Sequence, residues 1–135
     1  MQLEATFDYN QLENNGQSFI LKRTQEIRQL MKRSAEDIVI IGLKLIEVKT
    51  CLPHGAFGKW LRSEFDWTET TALNFMRVAK AFKTTNFADL HLAPSALYLL
   101  AAPSTPNEAR IEAVDRANDG EKITYGQAVS IVQSY

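Results

Sequence analysis

The side chains best suited to chemistry lie in one stretch, Thr68 to Lys83, where Thr70, Asn74 and Arg77 recur at spacings of four and three. On an α-helix these spacings put three side chains in one row, with Thr71 beside them and Lys80 and Lys83 prolonging the row toward the C-terminal end. Arg and Asn form paired hydrogen bonds with guanine and adenine edges, while Thr and Lys take phosphate oxygens. Such a row is a reading head for duplex DNA; the competing reading is a helix face that is merely solvated. Ala72, Phe75, Met76, Ala79 and Phe82 fill the other side of the same helix and would hold it against a core.

Two features start this helix and position it. Thr68 is a good N-cap, itself also a candidate DNA contact, and Glu69 in the first turn complements the helix dipole. Upstream, Phe57, Trp60, Leu61 and Phe65 are spaced i, i+3, i+4, i+8, which predicts a short helix with one aromatic face, ending in a turn at Asp66-Trp67. A short helix, a tight turn and a longer helix with a polar outer face are the parts of a helix-turn-helix, here residues 57–83. Lys59 and Arg62 on the short helix are candidate phosphate contacts. Trp60 and Trp67 read as core or turn anchors and not as base-stacking platforms.

The charge pattern fits this assignment better than the net charge of −1 does. Residues 1–17 carry three acids and no base, residues 18–83 carry twelve Lys/Arg against seven Asp/Glu, and residues 84–135 carry three against six. A basic middle therefore lies between acidic ends, and nucleic-acid footprints are local. Within that middle, Lys22, Arg23, Arg28, Lys32 and Arg33 alternate with Leu21, Ile27, Leu30 and Met31 on a predicted amphipathic helix starting at Ser18, and are further candidate phosphate contacts.

Other chemistries find little support. The chain has no Gly-rich phosphate loop, no His pair and no paired carboxylates with an obvious cleft, so no enzyme, cofactor or small-molecule substrate is expected. Cys51 is the single cysteine and reads as a small core residue, and His54 reads as a turn residue; with His91 they make a zinc site improbable. An intramolecular disulfide is excluded, and a reducing, cytoplasmic setting is expected. The most apolar run, Ile38–Ile46, is nine residues long and contains Lys44, too short for a membrane span, and no signal sequence is expected.

With 135 residues, 45% of them apolar, one core is affordable. The expected organisation is a flexible arm, 1–17, followed by a single helical domain, 18–135. Ile38 to Leu52 is rich in β-branched residues, yet its length and the lack of a partner run predict a helix that Pro53 and Gly55 stop. Ser34-Ala35-Glu36-Asp37 could cap it as a separate helix, but the favoured reading is one long element from Ser18, with room for a kink there. That segment is apolar around most of its circumference and must lie centrally or in a subunit interface. Downstream, Pro94 opens a helix through Leu100. Thr105-Pro106-Asn107-Glu108 and Thr124-Tyr125-Gly126-Gln127 read as capping boxes for two more helices, the first ending at Asn118-Asp119-Gly120. The fold class is all-α, a compact bundle of about six helices with no sheet.

Leu52-Pro53-His54-Gly55-x-Phe57-Gly58-x-Trp60-Leu61, then Phe65-x-Trp67-Thr68-Glu69-x-Thr71-Ala72 and Phe75-Met76-Arg77-Val78-Ala79, resembles an uncharacterised helical family of phages, plasmids and cyanobacteria over about residues 34–83. More distantly, the helix-turn-helix followed by Ser95-Ala96-Leu97-Tyr98-Leu99-Leu100 and by Gly120-Glu121-Lys122-Ile123-Thr124-Tyr125-Gly126-Gln127-Ala128 resembles the DNA-binding domain of ParB-type plasmid partition proteins. There, a Thr/Ser-x-Gly-x-Ala step opens a supporting helix behind the reading head. The second resemblance implies duplex-DNA binding, although the chain has no counterpart of the nucleotide-binding part of partition proteins. The functional expectation is a homodimeric DNA-binding protein, a transcriptional regulator or a plasmid- or phage-type DNA-organising factor; the alternative is a helical protein-interaction adaptor.

Overall fold

Capping residues and chain breakers cut the sequence into its elements. In a computed structural model, which describes residues 14–87 and 90–135, the order is α1 (Asn14–Cys51), α2 (Phe57–Phe65), α3 (Glu69–Phe82), β1 (His91–Leu92), α4 (Pro94–Ala101), α5 (Asn107–Asn118), β2 (Lys122–Ile123) and α6 (Tyr125–Gln133). Within α1 the side chains of residues 14, 15, 17, 28 and 30–32 fall outside the description. The chain separates into two units, residues 1–30 and residues 31–135, the boundary falling inside α1.

In the first unit the helix opens at Asn14, four residues ahead of the expected start, so residues 14–17 of the expected arm are helical; residues 1–13 of that arm lie outside the described residues. Phe19, Ile20, Leu21 and Ile27 are all exposed on it. Arg23 pairs with Glu26 at 2.7 Å and lies over the Phe19 ring, 4.8 Å from its centroid.

In the second unit the β-branched run is helical, as its length requires. Burial is one-sided, which narrows the expected all-round burial: Ala35, Ile38, Val39, Gly42 and Leu45 are buried, while Ile40 and Leu43 face solvent. Gly42 explains how closely α1 and α3 cross. A Cβ there would overlap the Phe75 carbonyl oxygen and come within 2.6 Å of the Ala79 Cβ. The helix ends at Pro53, and Gly55 turns the chain with a φ of 86°.

α3 joins two cores. Ala72 and Met76 pack with Leu45, Phe57 and Leu61, whereas Val78 and Phe82 pack with Ile38, Leu97, Leu100, Ala113, Ile123 and Ile131. Buried alanines at 109, 113 and 117 give α5 a small-residue face that sits close in the second core.

Three sequence expectations are corrected here. The sheet was not expected, yet β1 and β2 pair in parallel, His91 with Lys122 and Leu92 with Ile123, and the Ala93 N–H donates to the Ile123 carbonyl at 3.0 Å. Two-residue strands carry no periodicity, and a parallel pair is made only by a long crossover, supplied here by α4 and α5. Thr105 does not cap α5: the helix starts at Asn107 after Pro106, with no side-chain cap. Its buried hydroxyl instead donates to the Leu99 carbonyl at 2.7 Å, and the Arg110 Nε–H donates to the Leu100 carbonyl at 3.0 Å, so the two side chains satisfy the C-terminal carbonyls of α4. The box at Thr124 is half formed. Its hydroxyl accepts from the Gln127 N–H at 3.2 Å, but Gln127 Oε1 is buried with no partner and does not reach back.

Thr105→Ala should therefore cost about 1 kcal/mol through loss of a buried hydrogen bond. Thr105→Asp, harmless at a helix cap, should cost more than Thr105→Ala, because it buries a carboxylate. Chemical denaturation of the two variants checks the order, and an Asp variant as stable as the wild type would return Thr105 to a capping role.

Candidate nucleic-acid interface

The α2–turn–α3 unit is built from the turn outward. α2 closes with Asp66 in the left-handed region at φ 56°, its N–H donating to the Arg62 carbonyl at 3.2 Å while the Trp67 N–H reaches the Leu61 carbonyl at 3.3 Å. α3 then opens on Thr68, whose hydroxyl accepts from the Thr71 N–H at 3.3 Å and lies 3.3 Å from the Thr71 hydroxyl. Both threonines are thus engaged locally.

A run of aromatic contacts stiffens the unit. Phe57 stacks on Trp60 at 5.9 Å, Trp60 meets Phe65 edge-on at 5.2 Å, Phe65 stacks on Trp67 at 4.8 Å, and Trp67 stacks on Phe75 at 5.3 Å. Trp60 and Trp67 are partly buried against the first core, as anchors should be.

What remains outward on α3 is a narrow row. Thr70, Asn74, Lys80 and Lys83 are exposed, and Arg77 and Thr71 are half-buried. Val78, absent from the expected core face, is fully buried, because α4 packs on α3 as well as α2 does. Leu73, 38% exposed, stands in the row between Thr70 and Asn74. Lys59 and Arg62 are exposed on α2.

The remaining expected phosphate contacts divide. Lys22 and Arg23 are exposed but belong to residues 1–30; Arg33, in the second unit, is exposed and lies 3.7 Å from Asp37. The side chains of Arg28 and Lys32 lie outside the described residues.

Lys49 and His54 were missed as site residues by sequence reasoning. Lys49, in the last turn of α1, and His54 line an open cleft of about 530 Å³ with Phe57, Glu69, Thr70 and Leu73, at the start of the reading row. Lys49 Nζ lies 5.7 Å from the Phe57 ring centroid. The only signal was their nearness to Pro53, which marks a helix end without saying where the chain goes next. Cys51, expected in the core, is exposed, because the last turn of α1 runs past the core into solvent.

These cations differ in their partners from the arginines of the last third, though not from Lys22, Lys44 and Lys122, which also have no ion pair among the described residues. Among the described residues none of Lys49, Lys59, Arg62, Arg77, Lys80 and Lys83 is in an ion pair. In the last third the arginines are bound within the fold. Arg116 bridges Glu121 at 2.6 Å and Glu112 at 3.2 Å, which raises its pKa, and Arg110 is held by Leu100 and by Asn107. The Tyr135 hydroxyl donates to Glu112 at 2.6 Å; this bond and the neighbouring Arg116 hold the Glu112 carboxyl below its ordinary value. Among the described residues no group of His, Cys, Asp or Glu is placed to hold a metal ion, and no helix is long and apolar enough to cross a membrane.

A family model described as a protein of unknown function, DUF3102, matches residues 18–133. The chain belongs to the DUF3102 family. The match is longer than the resemblance over 34–83 suggested, so in this DUF3102 chain the supporting helices α4, α5 and α6 fall within the matched region along with α2 and α3. No curated protein and no solved structure matches the chain.

Proposed function

We propose that this DUF3102 protein binds double-stranded DNA. In this reading α3 lies in the major groove, Asn74 and Arg77 pair with base edges, and Leu73 and Thr70 meet thymine methyls or phosphates. Lys59, Arg62, Lys80, Lys83, Lys49 and His54 take phosphates. One observation carries the reading: among the described residues the cations of the α2–α3 unit and of the adjoining cleft have no carboxylate partner, whereas the arginines of α5 are held within the fold. Unpartnered cations around a row of Thr, Asn and Arg side chains suit a polyanion with readable edges.

The likeness to partition-type DNA-binding domains points the same way, toward a transcriptional regulator or a DNA-organising factor of plasmid or phage type. One reading helix discriminates weakly, so a homodimer on a two-fold site is the working form. The adaptor reading is favoured by the exposed Phe19, Ile27, Ile111 and Tyr135, and by Phe65 on α2 and Leu73 on α3; the Thr, Asn and Arg side chains of the α3 row favour DNA.

The test is titration of labelled duplex, chosen by selection from random sequences, at several salt concentrations. With five lysine and arginine contacts to phosphate in each protomer, the logarithm of a dimer's affinity should fall with the logarithm of salt at a slope of about −9. Absence of duplex binding at about 50 mM salt would leave the adaptor reading in its place.

A further inference from the structure

The chain changes electrostatic sign between its first helix and its last third, and both regions expose apolar side chains. Residues 18–33 hold Lys22, Arg23, Arg28, Lys32 and Arg33 against Glu26 alone, with Ile27 57% exposed and Phe19 56% exposed. On α5, Ile111 is 51% exposed, with Glu108 one turn before it and Asp115 one turn after. Neither acid has an ion pair among the described residues. Clefts of about 320 Å³ and about 230 Å³ flank Ile111, the first walled by Tyr135 and the second floored by Phe82 and Val114. The Glu112 bond holds the Tyr135 ring in its wall.

We propose that this face is covered by a second copy of the chain: the basic amphipathic segment of residues 18–33 of one molecule seats on α5 of another. Charge complementarity carries the inference. Glu108 and Asp115 rim the apolar floor on α5. Arg110 and Arg116 line the same clefts but are bonded within the fold to Leu100, Asn107, Glu112 and Glu121. The two acids are thus left to match the basic rim and apolar side chains of the segment, and both surfaces are present once in every molecule. The internal pairs Arg23–Glu26 and Arg33–Asp37 are solvent-exposed and hold the arginines weakly, so these can change partners. The contact joins two different surfaces, so it either closes reciprocally into a dimer or continues head to tail. It also reassigns Lys22, Arg23 and Arg33 from phosphate to protein. It requires no DNA, so it stands or falls apart from the proposed function.

One helix face against another lies at the small end of specific interfaces, and association is expected at about 10–100 µM. Sedimentation velocity of the full chain should show size rising with concentration at about 50 mM salt and falling back at about 500 mM. Ile27→Asp and Ile111→Asp, both at exposed positions, should each weaken association by more than roughly tenfold. An equimolar mixture of the two retains one intact pair of surfaces and should form a one-to-one dimer and nothing larger. Lys22→Glu and Asp115→Lys form a second such pair should either apolar variant lose its circular-dichroism signal. A wild-type chain that stays monomeric at about 200 µM, an Ile111→Asp chain that assembles like the wild type, or a mixture that stays monomeric would each overturn the inference.

Discussion

Arg77→Ala is expected to remove most of the protein's preference for its selected DNA site while leaving the fold intact. Arg77 makes no ion pair among the described residues and shares the outward row of α3 with Thr70 and Asn74, while its neighbours Met76 and Val78 are buried. Its half-buried stem has already lost rotamer freedom, so less is lost on binding. If the guanidinium pairs with a base edge, its loss should cost roughly 1–3 kcal/mol on the selected site and much less on unrelated duplex. If it touches only phosphate, both affinities should fall together and the salt slope should shrink by about one unit per protomer. Lys49→Ala, at the cleft beside Thr70, is the comparison and should follow the phosphate pattern. Specific and nonspecific titrations at two salt concentrations separate these outcomes. A triple Thr70→Ala, Asn74→Ala, Arg77→Ala chain that binds like the wild type would remove α3 from the interface.

Gly42→Ala should destabilise the protein, against the usual trend. In the middle of a helix this change ordinarily stabilises by roughly 0.5–1 kcal/mol, since glycine loses more backbone freedom on folding. Here the new methyl would overlap the Phe75 carbonyl oxygen and approach the Ala79 Cβ to 2.6 Å. A backbone oxygen cannot rotate away as a side chain can, so the helices must separate, at a net cost of about 1–3 kcal/mol. Ala79→Gly in the same chain relieves one of the two overlaps and should restore only part of the loss, a coupling that a double-mutant cycle in urea isolates. Because α3 carries the row proposed to read DNA, the single variant should also bind selected duplex less well at temperatures where it remains folded. A Gly42→Ala chain more stable than the wild type would disprove the tight α1–α3 crossing.

The α2–turn–α3 unit and the starts of α3 and α6 were legible because their signals are local. Thr68 and Thr124 accept hydrogen bonds from amides three residues on, and the aromatic spacing of α2 gives a helix whatever lies around it. The family resemblance over 34–83 rests on the same dense, short-range pattern. Thr105 shows where such signals mislead. Its position before Pro-Asn-Glu matches a capping box, but burial beside the end of α4 brings the Leu99 carbonyl within reach, and Pro106 delays the helix. Lys49, His54 and Leu73 were missed because their importance lies in what they adjoin, not in their own spacing.

The sequence by itself determined the helical class, the breaks at Pro53, Asp66 and Pro94, and the sidedness of α3, since each depends on interactions within a few residues. Tertiary structure alone decided the parallel β1–β2 pair, the burial of Val78 and the cleft at Lys49. It also decided which arginines are held within the fold and which lysines are not. These depend on groups brought together from distant parts of the chain, such as Leu92 with Ile123 or Gly42 with Phe75. Pairings of that kind are set by how whole helices pack, and no window of sequence contains both partners.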